Sequence, residues 1–443
     1  MRLYPPQTEV NLYEEGFGEN DLLQRKETGK RLSDLLEKVD DPVVLAVNGA
    51  WGSGKSHFLK RWVGAHNVEN GGRATTVYFD AYANDFIEDP LIGLTGSIGE
   101  RLPDANQSVS WKKAKNVVAK VARPLLRIGA AFATAGVTEL TGPVIDAAIE
   151  AGGKEAEEAV DAFWRREDGR RAAMQQFRNA LAEITRDGSA LIIVVDELDR
   201  CRPDYALATL EVIKHFFAVE RVHFVLGVNM DALEHMVCVR YGAGINASDY
   251  IKRFVSLSME LPTFVGDGAA LRAQMKYFRT AADAMGIHHR ISKIALEQLE
   301  LMVAHTDFTL RDIEKILTRL VVLPRGKELG DFPFGYQTII ISLVLWQVIK
   351  PDFYRRALRR KLSIDEIDGF FGIVAPMLER DSQTYSHDAY LLSGIWRFAL
   401  TGKSLVDTDK SDFARTFDRS GRGVSKLLEN IERDFFSAFE VRD

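Results

Sequence analysis

The sequence predicts an α/β fold built on a parallel sheet and continued by a long helical region. Three observations carry this. Short apolar runs at 43–48, 75–79, 191–195 and 222–228 alternate with helical segments, as in units whose strands are buried on both faces. The first run stops at a glycine-rich turn that leads into an amphipathic segment holding Phe58, Leu59 and Trp62. After Pro262 the apolar spacing stays helical almost to the end.

Taken in order, 25–39 reads as a helix, because Leu32, Leu35, Leu36 and Val39 recur at helical spacing. Asp40, Asp41 and Pro42 end it. The run 43–48 reads as a buried parallel strand, and 75–79 as a second. Between Pro90 and Asp187 no run has the character of a central strand, so about 95–186 reads as a helical insertion. Strands follow at 191–195 and 222–228. The segment 256–261 alternates polar and apolar residues before Pro262. The expected organisation is a core at 1–262, a helical lid at 263–324 and a helical C-terminal region at 325–443. The strongly apolar 338–349 is too short to cross a bilayer and reads as a buried helix.

Bulk composition narrows the function classes. With 443 residues, 46% hydrophobic and 27% charged, the chain is globular and long enough for two or three domains. A net charge of -6 gives no support for a general DNA-coating protein. Cys201 and Cys238 are the only cysteines, which excludes a disulfide framework and points to a reducing compartment. No apolar signal-peptide core occupies 1–11, and no uncharged apolar stretch is long enough to span a membrane. The expectation is a cytoplasmic protein without a membrane span.

The chemistry is concentrated in two places. Gly49-Ala50-Trp51-Gly52-Ser53-Gly54-Lys55-Ser56 fits G-x-x-x-x-G-K-[ST] in full, with His57 following. Glycines let the backbone wrap closely around phosphate, and successive N–H groups with a helix N-terminus point at the anion. Lys55 would neutralise the β- and γ-phosphates, and Ser56 would ligate Mg²⁺. The second place is Asp196-Glu197 at the C-terminal end of an apolar strand, where ligands of open α/β sheets bind. Asp196 is the expected Mg²⁺ partner and Glu197 the expected base for an attacking water. Asp199 and Arg200 read as an internal ion pair. Asn229, at the tip of the 222–228 run, is either a γ-phosphate sensor or a turn-forming residue. Arg253 and Arg311 are candidates for stabilising charge in phosphoryl transfer, with a plain surface role as the alternative.

On these residues the chain resembles the KAP-type P-loop NTPases. The blocks are Asn20-Asp21-Leu22-Leu23, Trp51-Gly52-Ser53-Gly54-Lys55, Phe79-Asp80-Ala81-Tyr82, Asp196-Glu197-Leu198-Asp199-Arg200-Cys201-Arg202-Pro203, Tyr250-Ile251-Lys252-Arg253 and Pro262. Glu197 stands where the family usually has a second aspartate, and Asp80 and Tyr82 replace an amide and an indole. The resemblance implies an additional-strand catalytic-glutamate type of P-loop fold, ATP hydrolysis and a link to exclusion of phage in bacteria or to membrane-associated signalling elsewhere. No guanine-reading Asn-Lys-x-Asp motif is present, which favours ATP. Family members often carry membrane spans between the two nucleotide motifs, but here that region is too polar to span.

The remaining features concern partners. The basic stretch 112–127 is amphipathic, and suits a membrane surface or partner groove, or else pairs with the acidic 150–161. Arg355, Arg356, Arg359, Arg360 and Lys361 lie at helical spacing and suit either phosphate backbone or solvent. His288 and His289 read as surface residues rather than metal ligands. No second catalytic constellation is present, so an effector is expected in another chain. A homo-oligomer, a nucleic-acid motor and a non-catalytic scaffold stay open as alternatives.

Overall fold

The computed structural model describes residues 2–6, 9–19, 21–87, 89–102, 112, 171–172, 174–186, 188–215, 219–262, 264–265, 271–303, 305–323, 329–401, 416–417 and 426–436. Its centre is a parallel sheet of β1 (Val44–Asn48), β2 (Thr75–Asp80), β3 (Leu191–Asp196), β4 (Val222–Val228) and β5 (Leu257–Glu260). The strand order is β2-β3-β4-β1-β5. Strand β4 therefore lies between the strand entering the glycine-rich turn and the strand ending in the two acids. Register places Asp80 opposite Asp196, and Asp196 opposite Gly227.

The two-residue period of the strands sorts their side chains into two apolar layers. Val77, Phe79, Ile193, Val195, Phe224 and Leu226 face α3 (Pro90–Arg101), α4 (Pro203–His215) and α5 (Met230–Tyr241). Leu45, Val47, Ile192, Val194 and Val225 face α1 (Lys26–Leu36) and α2 (Lys55–Val68). Strands covered on both sides need no polar alternation, which is why β3 and β4 read as unbroken apolar runs. Each fully buried Ile, Leu or Val contributes about 1.5–3 kcal/mol.

A short helix, α6 (Ala247–Ile251), precedes β5. A two-residue antiparallel pair, β6 (Phe264–Val265) and β7 (Leu271–Arg272), follows it and was not legible in the sequence. Beyond it come α7 (Ala273–Met285), α8 (His289–Met302), α9 (Leu310–Val322) and α10 (Phe334–Ile349). One apolar core runs from Met275 to Phe436, across both sides of the expected 324–325 boundary. The apolar stretch of α10 is its axis: 337–346 is buried, and Trp346 packs at a tilt against Trp396 with ring centroids 4.8 Å apart.

Among the described residues no helix is long and apolar enough to cross a membrane. Of the expected insertion, 95–101, 112, 171–172 and 174–184 are described and helical. The basic stretch 112–127, save Lys112, and the acidic 150–161 lie outside the described residues. Arg355 and Arg356 pair with Asp352, and Arg356 also with Glu366. His288 caps α8 through its ring nitrogen.

Candidate functional site

The site is built at the C-terminal ends of β1, β3 and β4. Strand β1 ends at Asn48, and the loop 49–54 turns back into α2. Gly52 (φ 82°) and Gly54 (φ 85°) take left-handed backbone that residues with a Cβ disfavour. The loop's shape is fixed from several sides. Gly49 N–H donates to the Val228 carbonyl at 3.3 Å, and Ser53 N–H to the Ala50 carbonyl at 3.2 Å. The Ser53 hydroxyl is buried without a hydrogen-bond partner, a donor held ready inside the loop. Lys55 is buried, and its Nζ folds back on the carbonyls of Gly49 (2.6 Å) and Ala50 (3.2 Å). Burial lowers the Lys55 pKa, and the charges of Asp199 and Asp196 oppose that shift.

Asp196 closes β3 and is wholly buried. Its Oδ2 accepts from the Tyr78 hydroxyl at 2.7 Å and its Oδ1 from the Glu197 N–H at 2.9 Å. Burial pushes its carboxyl up to about 6, while hydrogen bonds from the Tyr78 hydroxyl and the Glu197 N–H pull the other way. Only glycine fits beside it on β4, since a Cβ at Gly227 would lie 2.3 Å from Asp196 Oδ1. Glu197 sits at φ 58°, so the chain leaves β3 in a tight 3-10 turn at Leu198–Arg200. Residues three apart then share a side. Glu197 Oε2 accepts from Arg200 at 2.8 Å, and its Oε1 accepts from the Ser56 hydroxyl at 3.1 Å. This corrects the expected Asp199–Arg200 ion pair: the turn sends Arg200 back to Glu197 and Asp199 inward. Asp199 Oδ2 accepts from the Trp51 indole at 2.6 Å and from Asn229 N–H at 2.9 Å.

The other singled-out residues are placed less uniformly. Asn229 is the N-cap of α5, its side-chain oxygen accepting from Asp231 and Ala232 N–H. Arg311 belongs to the first turn of α9, which docks on the loop: Leu310 N–H donates to the Gly52 carbonyl at 3.1 Å. A Cβ on Gly52 would come within 2.5 Å of Arg311 Cβ. Arg253 is elsewhere, lining a groove of about 700 Å³ with Lys214, Tyr241, Asn246 and Tyr250 and no residue of the loop or the acidic turn. His57 is exposed on α2. Two side chains that the sequence does not single out also reach the site. One is Tyr78, brought beside Asp196 by the register of β2 on β3. The other is the buried Arg25, which donates to the carbonyls of Ser53 (2.8 Å) and Gly54 (3.0 Å). Burial lowers the Arg25 pKa to about 10.

These residues fit a nucleotide and a hard divalent ion. The unpaired Ser53 donor and the glycine-lined loop suit phosphate oxygens. Ser56 and Asp196 offer oxygen ligands only, the donor set that Mg²⁺ takes when phosphates complete its shell. Among the described residues no cluster of three His, Cys, Asp or Glu forms a metal cage without such a ligand.

No curated relative matches the chain. Among solved structures it is similar to the Aeropyrum pernix ORC2 protein in its ADPNP–ADP complexes, at 10% identity over 97% of this chain and 95% of that one, TM-score 0.34. It is similar to Cdc6p from Pyrobaculum aerophilum at 11% identity, over 92% and 95%, TM-score 0.36. The replication initiator DnaA bound to AMPPCP and single-stranded DNA aligns at 11% identity, over 92% and 91%, TM-score 0.31. The KAP family P-loop domain matches residues 25–326, more than half of the sequence, and the chain belongs to that family.

Proposed function

We propose that the chain is a Mg²⁺-dependent ATPase that acts as a nucleotide-driven switch on a partner chain. One observation carries this reading. Ser56 at the start of α2 and the acids Asp196 and Glu197 at the end of β3 stand beyond two strands separated by β4, yet they converge, with Ser56 Oγ 3.1 Å from Glu197 Oε1. On this reading Lys55 leaves the carbonyls of Gly49 and Ala50 for the β- and γ-phosphates, and the loop amides hold the phosphate oxygens. Ser56 and Asp196 would hold Mg²⁺, which would supply positive charge against the triphosphate. Glu197, once clear of Arg200, would orient the attacking water and take its proton. Arg311 is the better placed of the two candidate arginines, since its turn already touches the loop.

Opening and closing of the α9 turn against the loop would carry the nucleotide state to the helical region and on to a partner. The family resemblance supports a role in phage exclusion, and the cysteine usage supports a cytoplasmic setting. The test is Glu197→Gln. ATP binding stays within a few-fold of wild type while turnover falls by about 10²–10⁴. A variant that hydrolyses ATP at the wild-type rate would remove Glu197 from the chemistry.

A further inference from the structure

We propose that Asp199 is a positioning residue for the phosphate loop, a third working carboxylate beside Asp196 and Glu197. This rests on the nucleotide site proposed above. Asp199 is 3% exposed, and polar oxygens so placed need hydrogen-bond donors. It has two. A single oxygen takes the Trp51 indole N–H at 2.6 Å and the Asn229 backbone N–H at 2.9 Å. Its charge is also the foremost electrostatic influence on Lys55, ahead of that of Asp196.

The three hydrogen-bonded residues follow three neighbouring strands. Trp51 follows β1, Asn229 follows β4 and Asp199 follows β3, in the spatial order β3-β4-β1. Asp199 therefore reaches across the tip of the middle strand to the loop on the far side. Trp51 is 48% exposed, so packing alone does not hold its ring. The hydrogen bond to Asp199 is what ties this loop residue to the sheet. Were the loop to move away from the β4 tip, a buried carboxylate would lose a donor, and the loop is thereby held in one shape. A loop already in that shape needs no reordering when phosphate enters, so Asp199 acts on nucleotide affinity without touching the nucleotide.

The experiment is a double-mutant cycle on the full chain, read by calorimetric ATP–Mg²⁺ affinity and by Trp51 emission. The emission is isolated by subtracting the spectrum of Trp51→Phe. Asp199→Ala weakens ATP binding by roughly tenfold or more, the scale of a hydrogen bond to a charged acceptor. Adding Trp51→Phe to Asp199→Ala weakens it little further, because the two residues act through one bond. Trp51 emission of the nucleotide-free Asp199→Ala chain shifts to the red, and Asp199→Asn, which keeps an acceptor oxygen, shifts it less. If Asp199→Ala does not fold, Asp199→Asn replaces it in the cycle, and the same sub-multiplicative result is expected. Losses that multiply independently, or a lower melting temperature with unchanged affinity and emission, would overturn the inference. Failure of the wild-type chain to bind ATP would instead sink the nucleotide site itself.

Discussion

Asp196 is wholly buried, with one oxygen on Tyr78 and the other on the Glu197 amide. Its carboxyl rises from 3.8 to about 6, chiefly through burial. A raised carboxyl favours the folded state below the unfolded pKa and loses that contribution as pH climbs through about 6. The rise corresponds to ~3 kcal/mol against the ionised, nucleotide-free fold. Asp196→Asn is therefore expected to raise the melting temperature of the nucleotide-free chain at pH 8, with the gain shrinking to nothing below pH 4. No gain at pH 8 in scanning calorimetry would contradict this. The glycine-rich run and the two acids stood out in the sequence because each is a contiguous motif at fixed spacing, and the structure brings them together. Tyr78 and Arg25 did not stand out. Tyr78 depends on strand register, and Arg25 approaches from a helix start 28 and 29 residues before its partners.

At the scale of elements, propensity located the helices and strands, and side chains from elsewhere decided their ends. The first helix was expected over 25–39 but stops at Leu36. Glu37 is drawn to the N–H groups of Arg73 and Ala74, leading into β2, so the chain turns there. Strands β2 and β3 each run one residue further than their apolar stretches, because Asp80 and Asp196 still pair in register. The α9 N-terminus is set by a capping box between Thr309 and Asp312. That box also fixes the turn carrying Leu310 onto the Gly52 carbonyl. Thr309→Ala is expected to cost about 1 kcal/mol of stability. It should also speed hydrogen exchange at the Leu310 amide more than at amides in β4. Equal protection of Leu310 in variant and wild type would show that the box does not anchor this contact.

Across the whole molecule, the sheet half and the helical half meet at the phosphate loop. The sheet brings the glycine-rich turn, the acids and Asn229 to one edge through its order β2-β3-β4-β1-β5. The helical half shares one apolar core from Met275 to Phe436 and touches that edge through α9. The alternation of strands and helices made the first half legible. The shared second core was less so, because helical spacing marks an apolar face without naming its partner. The groove holding Arg253 was not legible either, since it depends on how α4, α5 and α6 pack. The central claim is that this edge grips a triphosphate, and isothermal titration with ATP in Mg²⁺ tests it most directly. The account predicts saturable one-to-one binding by the wild-type chain, weakened when Mg²⁺ is chelated and lost in Lys55→Ala. Equal binding by wild type and Lys55→Ala would contradict it.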